Sequence, residues 1–314
     1  MIKNIKVVVW CLAYNQARFI RNALDGFVMQ KTNFSFEVIV HDDKSTDGTT
    51  DIILEYAKRY PDIIIPVIEA ENQWTRGGLV RIIDILNDKY RNAPYIAFCE
   101  GDDYWTSPYK LQKQVDFLDK EPQYSMCFHS AEKKYECDGV SWINCENIED
   151  KDYNATEIFV NWTIPTASVV CRKEALEFYS SLKGKENIQN YDIFIFLSCA
   201  MVGHIRGMHD KMSVYRIQET GLTYNNDALV KCTMRNPEHF ICLRNNFPIV
   251  KRKYVNKTIA KCLFERACIR KERLKSSGDL ILSLYYDPLH FFVRLIKYFY
   301  HNVSSTKYKC LKIW

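Results

Sequence analysis

The sequence predicts an α/β fold: a mostly parallel central sheet flanked by helices, followed by a C-terminal helical extension. Three observations predict it. Short apolar runs alternate with stretches of helical periodicity through the first third of the chain, the pattern of strand–helix–strand crossovers. The run Tyr95-Ile96-Ala97-Phe98-Cys99 leads directly into Glu100-Gly101-Asp102-Asp103-Tyr104-Trp105, which places carboxylates where a buried parallel strand ends. Finally, residues 229–314 hold 18 Lys/Arg against 5 Asp/Glu, a net of +13, so the remainder carries −8 of the total +5. The expected division is 1–224 for the α/β domain and 225–314 for a basic, mostly helical extension.

The elements follow in order. Lys6–Trp10 reads as a first buried strand. Phe19, Ile20, Ala23, Leu24, Phe27 and Val28 recur at helical spacing, with Asn15 as the expected N-cap. Phe36–Val40 is a second strand. A polar loop, Asp42 to Thr49, precedes a helix through Ile52, Ile53, Tyr56 and Tyr60, which Pro61 stops. Ser45, Thr46 or Asp47 is its expected cap. Ile63–Ile68 is a third strand, and Leu79, Ile82, Ile83 and Leu86 mark a further helix before the strand at 95–99.

At 314 residues and 47% hydrophobic content the chain can bury a sizeable core. Of its 12 cysteines, Cys11, Cys99, Cys127, Cys171 and Cys199 lie inside apolar runs, where a free thiol acts as a small hydrophobe. No Cys-x-x-Cys occurs, which argues against a zinc ribbon. The N-terminus enters a strand without a leader-like apolar region, so a cytoplasmic, reduced protein is expected.

Crowded carboxylates repel, so either one takes up a proton or a cation sits between them. Mg²⁺ or Mn²⁺ suits such a site, because hard ions take oxygen ligands from carboxylates and substrate phosphates. Spacing alone leaves a second reading open, an acidic loop capping the helix after Pro108. Asp42 and Asp43 are similarly double: part of a capped loop, or an acceptor for a nucleobase or ribose.

Taken jointly, Tyr14-Asn15, Asp42-Asp43-x-Ser45-Thr46-Asp47-Gly48-Thr49, Glu100-Gly101-Asp102-Asp103-Tyr104-Trp105 and Lys110-Leu111-x-x-Gln114-Val115-x-Phe117-Leu118 resemble the family-2 glycosyltransferases of bacterial surface-polysaccharide type. The resemblance covers about residues 4 to 221. It implies a GT-A-like, Rossmann-related sheet. It implies that Ala13, Tyr14, Asn15 and Asp43 line the nucleoside pocket of a nucleotide-sugar donor, UDP-linked if Asp43 accepts from the uracil imide. Glu100 and Asp102 fall on the family's Asp-x-Asp positions, with Gly101 between them. Asp102 is the implied metal ligand, and Glu100 contacts ribose or acts through water. Trp105 becomes a candidate sugar platform, a buried core Trp being the alternative.

Further along, Ser125–His129 and Ala167–Cys171 read as strands, His129 as a core histidine, and the polar stretch Glu132–Asp152 as a loop excursion near the acceptor. Trp162 to Thr166 is a candidate acceptor-side loop, or an ordinary turn. Asp192 precedes an apolar helix that ends near Gly203. By position it is a favourable first-turn acid; by resemblance it is the catalytic base. Arg216 matches the family's Tyr-Arg strand end, where Arg can face the pyrophosphate. The family often carries His two residues beyond that Arg. This chain has Gln218, a poor ligand for a transition metal.

In the tail, Asp287-Pro288 is a cap and first-turn pair for a helix in which His290, Arg294, Lys297 and His301 form a basic stripe. That helix either packs in a subdomain or lies in an anionic inner-leaflet interface. The combined expectation is an inverting, metal-dependent transferase acting on a glycan or lipid-linked acceptor, peripheral on the inner membrane. A non-catalytic nucleotide-sugar binder is the alternative. Nucleic acid is not expected as a partner, because the body is acidic and carries no reading motif.

Overall fold

The computed structural model describes residues 4–73, 90, 92–137, 140–145, 148–161, 164–218, 226–270 and 273–304. The expected helix around Leu79–Leu86, the acceptor-loop residue Trp162 and the proposed boundary near residue 224 lie outside the described residues. The chain divides into two compact units, Met1–Leu182 with Asn190–Gly221, and Lys183–Gln189 with Leu222–Trp314.

The first unit is an α/β sheet structure. Its opening half follows the periodicity of the sequence: β1 (Ile5–Ala13), α1 (Ile20–Val28), β2 (Ser35–Asp42), α2 (Thr49–Arg59), β3 (Ile64–Ile68) and β4 (Tyr95–Phe98). β1 pairs in parallel with both β2 and β4, and β2 with β3. Val7, Val9 and Cys11 face one core with Ile20, Leu24 and Phe27 of α1, a continuous apolar set because a parallel strand is covered on both faces. The cysteines expected in the core, Cys11, Cys99, Cys127, Cys171 and Cys199, are buried free thiols.

After β4 come β5 (Tyr104–Trp105), α3 (Lys110–Lys120), β6 (Tyr124–Cys137), β7 (Val140–Cys145), α4 (Ala155–Asn161), β8 (Val170–Arg172), α5 (Glu174–Ser180), α6 (Tyr191–Val202) and β9 (His204–Gln218). The sheet runs β3-β2-β1-β4-β8-β6-β9-β5, with β7 paired to β6. It turns mixed at β8, which is antiparallel to β4 and β6.

The polar stretch from Glu132 is not a loop, as the sequence reading expected. β6 runs through it beside β9, from Glu132↔Val214 to Glu136↔Gln218, and β7 folds back on it from Val140 to Cys145. Backbone pairing with a distant strand decides this conformation, so no local apolar pattern announces it.

The second unit is helical: α7 (Asn226–Asn246), α8 (Arg252–Ile269), α9 (Arg273–Tyr286) and α10 (Pro288–Ser304). Its core holds a buried charge network. Arg266 of α8 donates to both oxygens of Asp279 at 2.8 and 3.1 Å, and to Glu238 at 2.5 Å. Arg270 adds a contact to Asp279 at 2.9 Å. Asp287 caps α10 as expected, its Oδ1 accepting the His290 N–H at 3.4 Å, and it also accepts from His290 Nδ1 at 3.0 Å and Arg294 at 2.5 Å. No described helix is long and apolar enough to cross a membrane.

Candidate active site

The carboxylate run begins as β4 ends. The backbone continues alongside β1, with Cys99 N–H donating to Trp10 O at 3.1 Å and Gly101 N–H to Leu12 O at 2.8 Å. Gly101 lies close to its neighbours here, so a side chain would have to displace Gln16 and Ile20. A Cβ at that position would stand 2.3 Å from Gln16 Oε1, 2.7 Å from Ile20 Cδ1 and 3.2 Å from Leu12 O. The chain then turns, with Asp103 N–H donating to Glu100 O at 3.1 Å, and enters β5. β5 pairs antiparallel with β9 through Tyr104↔Val214 and Trp105↔Ser213. That pairing carries Tyr215, Arg216 and Gln218 across the carboxylates.

The three acids of the run differ in role. Asp103 is buried, and its Oδ1 accepts the Arg216 N–H at 2.8 Å, so it ties β9 to the turn. Asp102 is half-buried and accepts from Gln218 Nε2 at 2.5 Å. Glu100 is half-buried at the rim. Burial, then the charges of Asp102 and Asp192, push the Glu100 carboxyl up to about 8. Burial also raises Asp102, against the Gln218 hydrogen bond, and raises Asp103 well above the carboxylate range. Asp192 sits in the first turn of α6, with Oδ1 accepting the Ile193 N–H at 2.8 Å, and burial raises it too. The Tyr215 phenol is raised by burial and then by the charges of Asp103, Glu100, Asp102 and Asp192. The sequence reading did not single out Tyr215. Its only signal was its place beside Arg216 at a strand end.

The residues expected to line a nucleoside pocket lie where β1 and β2 end together. Ala13 is the last residue of β1, and its carbonyl accepts the Asp43 N–H at 3.0 Å. Tyr14 follows, 51% exposed. Asn15 is not an N-cap, contrary to expectation: α1 begins at Ile20, and Asn15 sits at φ 51°, the left-handed region that Asn tolerates. Its side chain serves the second loop instead, accepting the Thr46 N–H at 2.8 Å, while its own N–H donates to Ser45 Oγ at 2.8 Å. Asp47 accepts from Thr49 N–H at 3.1 Å and Ala17 N–H at 2.9 Å, clamping both loops at the start of α2. The aspartate pair splits. Asp42 is buried on Ser45 and Thr50, and Asp43 is half-buried with Oδ1 on the Gln73 N–H at 2.5 Å.

Two expectations change here. Trp105 is 2% exposed; its indole donates to Ala167 O at 2.8 Å, Phe27 packs on it edge-on at 5.0 Å, and the buried Lys110 ammonium lies 4.3 Å from its ring centre. Neither ring face is open to a sugar. It anchors the floor beneath the carboxylates, and the Lys110–Gln114 hydrogen bond at 2.7 Å braces it. Arg216 does not present a free guanidinium to a pyrophosphate. That group donates to Glu136 Oε1 at 3.1 Å, Asn22 Oδ1 at 3.2 Å and the Asp102 carbonyl, and lies over the Phe19 and Tyr104 rings. Thr166 opens a 3₁₀ turn, Thr166–Ser168, one residue from the carbonyl that holds Trp105. His129 is buried, as expected of a core histidine.

The donor set fits a hard divalent cation. Burial raises both Glu100 and Asp102, and the Asp102 charge raises Glu100 further, so the pocket favours added positive charge. Among the described residues no cluster of three or more His, Cys, Asp or Glu could hold a metal unaided.

The site thus joins two loops tied together at the ends of β1 and β2, an acid cluster at the end of β4 and a further acid from α6. The chain matches the family described as glycosyl transferase family 2 over residues 9–178, and it belongs to that family. The match ends before Asp192, Arg216 and Gln218.

An uncharacterized protein of Mycobacterium tuberculosis is 35% identical over 215 residues, covering 68% of this chain and 59% of that protein. The chain thus spans about three-fifths of that relative. The putative teichuronic acid biosynthesis glycosyltransferase TuaG of Bacillus subtilis is 30% identical over 106 residues, 34% of this chain and 39% of that one. Among solved structures, TarS 1-349 of S. aureus in complex with UDP superimposes with a TM-score of 0.58 at 15% identity, over 91% of this chain and 82% of TarS 1-349. The mannosyltransferase PcManGT of Pyrobaculum calidifontis, in complex with GDP-Man and Mn²⁺, gives 0.53 at 16% identity, over 93% and 84%. At such identities the structural likeness bears on the fold.

Proposed function

We propose that the chain transfers a sugar from a nucleotide-sugar, with UDP as the nucleotide, to a hydroxyl of a glycan or lipid-linked acceptor, and inverts the anomeric centre. The observation that carries this reading is the separation of acids by element. Glu100 and Asp102 lie on the turn after β4, while Asp192 enters from α6 close enough to raise the Glu100 carboxyl. Two acids on one element suit a divalent cation that would bridge to the donor's diphosphate. An acid from another element suits the acceptor.

In the proposed step the acceptor oxygen forms a bond to the anomeric carbon as the bond to the departing diphosphate oxygen breaks. Asp192 takes the hydroxyl proton as general base. Its raised carboxyl favours that role, because a base works best with a proton affinity near the operating pH. The electron pair leaves with the nucleoside diphosphate. A Mn²⁺ or Mg²⁺ ion at Asp102, with Glu100 beside it, would supply charge neutralisation for that leaving group. Ala13, Tyr14, Asn15 and Asp43 form the nucleoside wall. Arg216 positions Asp102 and the strand end rather than reaching the diphosphate. UDP is supported by the TarS complex, and a surface-polysaccharide acceptor by the likeness to TuaG.

Gln218 favours a second reading, a binder of nucleotide-sugars without turnover, because its amide engages the Asp102 carboxylate where the family often has His. A screen of nucleotide-sugars for nucleoside diphosphate release, with and without Mn²⁺, decides between them. Release that depends on metal and fails in Asp192→Asn supports transfer. Binding without release from any donor leaves the binder.

A further inference from the structure

The second unit presents apolar side chains outward on two successive helices. On α9, Leu274, Ile281 and Tyr285 are 90%, 68% and 77% exposed. Their spacing puts them on one face, opposite Ser276, Asp279 and Ser283, which bond inward to Ala267 O, Arg266 and Ala260 O. On α10, Leu289, Phe292 and Ile296 are 84%, 59% and 67% exposed. The other face of α10 is occupied: Phe291 and Tyr298 pack edge-on against Phe264 of α8, and Arg294 donates to Asp287 and the Lys257 carbonyl. The basic stripe read from the sequence is therefore divided. Arg294 turns inward, while His290 and Lys297 stand exposed beside the apolar row.

Water-soluble surfaces rarely leave rows of large apolar groups on neighbouring helices without a partner. The charge of this region selects the partner's chemistry. Residues 229–314 carry a net of +13. A second copy brought face to face would carry the same charge and be repelled. An anionic lipid surface attracts the charge and accepts the apolar rows at once, and helices too short to cross a membrane lie in its plane.

We infer that α9 and α10 dock on an anionic membrane surface, inserting the outward rows that include Leu274, Ile281, Tyr285, Leu289, Phe292 and Ile296. The inference is independent of the sugar-transfer reading, since binding is read with neither donor nor acceptor present.

The test is co-sedimentation of the full chain with vesicles of phosphatidylcholine containing phosphatidylglycerol, and with phosphatidylcholine alone, at low and high salt. The full chain should pellet with the anionic vesicles. Salt should remove only part of that binding, because buried apolar area is not screened. Phe292→Glu/Ile296→Glu should weaken partitioning by roughly a hundredfold or more, from the lost burial of two large side chains. Both positions are exposed, so the melting temperature should hold. Ile281→Glu on α9 gives the same readout should the double variant melt early. Failure of the full chain to pellet at low salt overturns the inference. So does a variant that pellets like the parent, or a dimer in sedimentation velocity that the double variant dissolves while vesicles do not compete.

Discussion

Gln218 donates from its side-chain amide to Asp102 Oδ2 at 2.5 Å, so the strand end of β9 holds one oxygen of the acid that the family resemblance makes a metal ligand. That bond lowers the Asp102 carboxyl against the upward push of burial. Asp102→Asn should therefore abolish Mn²⁺-dependent donor binding in calorimetry, with an unchanged circular dichroism spectrum. Gln218→Ala should be milder, costing roughly ten- to a hundredfold in Mn²⁺ affinity, as for other groups that orient a ligand. Metal-dependent affinity that survives Asp102→Asn would remove this residue from the site.

Asp192→Asn should retain donor and metal binding and lose about 10²–10⁴-fold in transfer rate, the usual contribution of a positioned base. Asp103 cannot substitute. It is 1% exposed and fixed to the Arg216 N–H at 2.8 Å. Near-normal single-turnover transfer by Asp192→Asn would place the base elsewhere.

The metal-free protein should lose more stability than its Glu100→Gln variant as pH rises from 6.5 to 8. In that window native Glu100, raised to about 8, holds a proton that an unfolded Glu, near 4.5, has already released. At this group the native state binds more protons, so its contribution to stability falls with rising pH, by up to about 1.4 kcal/mol per pH unit. Buried Lys110, pushed down to about 7, acts with the opposite sign across the same window, and buried His129 and His239, both depressed by burial, do so below 6.5, because their unfolded forms hold protons that the native forms lack. The variant keeps all three, so the difference between the two pH profiles isolates Glu100. Urea melts at stepped pH in EDTA check the sign, and Mn²⁺ should shrink the difference. Parallel profiles from 6.5 to 8 without metal would contradict the carboxylate electrostatics.

Trp105→Ala should destabilise the fold by about 3–5 kcal/mol, as for other large core side chains. Trp105→Phe should keep most of the packing but lose the bond to Ala167 O, and should leave donor affinity nearly unchanged. A sugar platform would behave in the opposite way, losing affinity with its melting temperature intact. Paired denaturation and donor-titration measurements separate the two.

Several features were legible from residue order alone. The alternation of β1 to β4 with α1 and α2 was legible because apolar spacing reports which side chains of one element share a face. The acid cluster was legible because it is local, and the Asp287-Pro288 cap because both partners lie within one turn. The family motifs fall in the same stretch for the same reason.

The tertiary structure decided what depends on a distant partner. Glu132–Cys145 is polar and without period, yet it pairs as strands because β9 and its own hairpin satisfy its backbone. Asn15 bonds across to Thr46 instead of capping α1, Trp105 finds Ala167 and Phe27, and Arg216 finds Glu136 and Asn22. On α10, periodicity marked apolar and basic rows, but packing against Phe264 determined which row turned inward. A sequence records the faces of each element; which neighbour covers a face is settled only when the elements pack, because that contact joins residues with no local relation to one another.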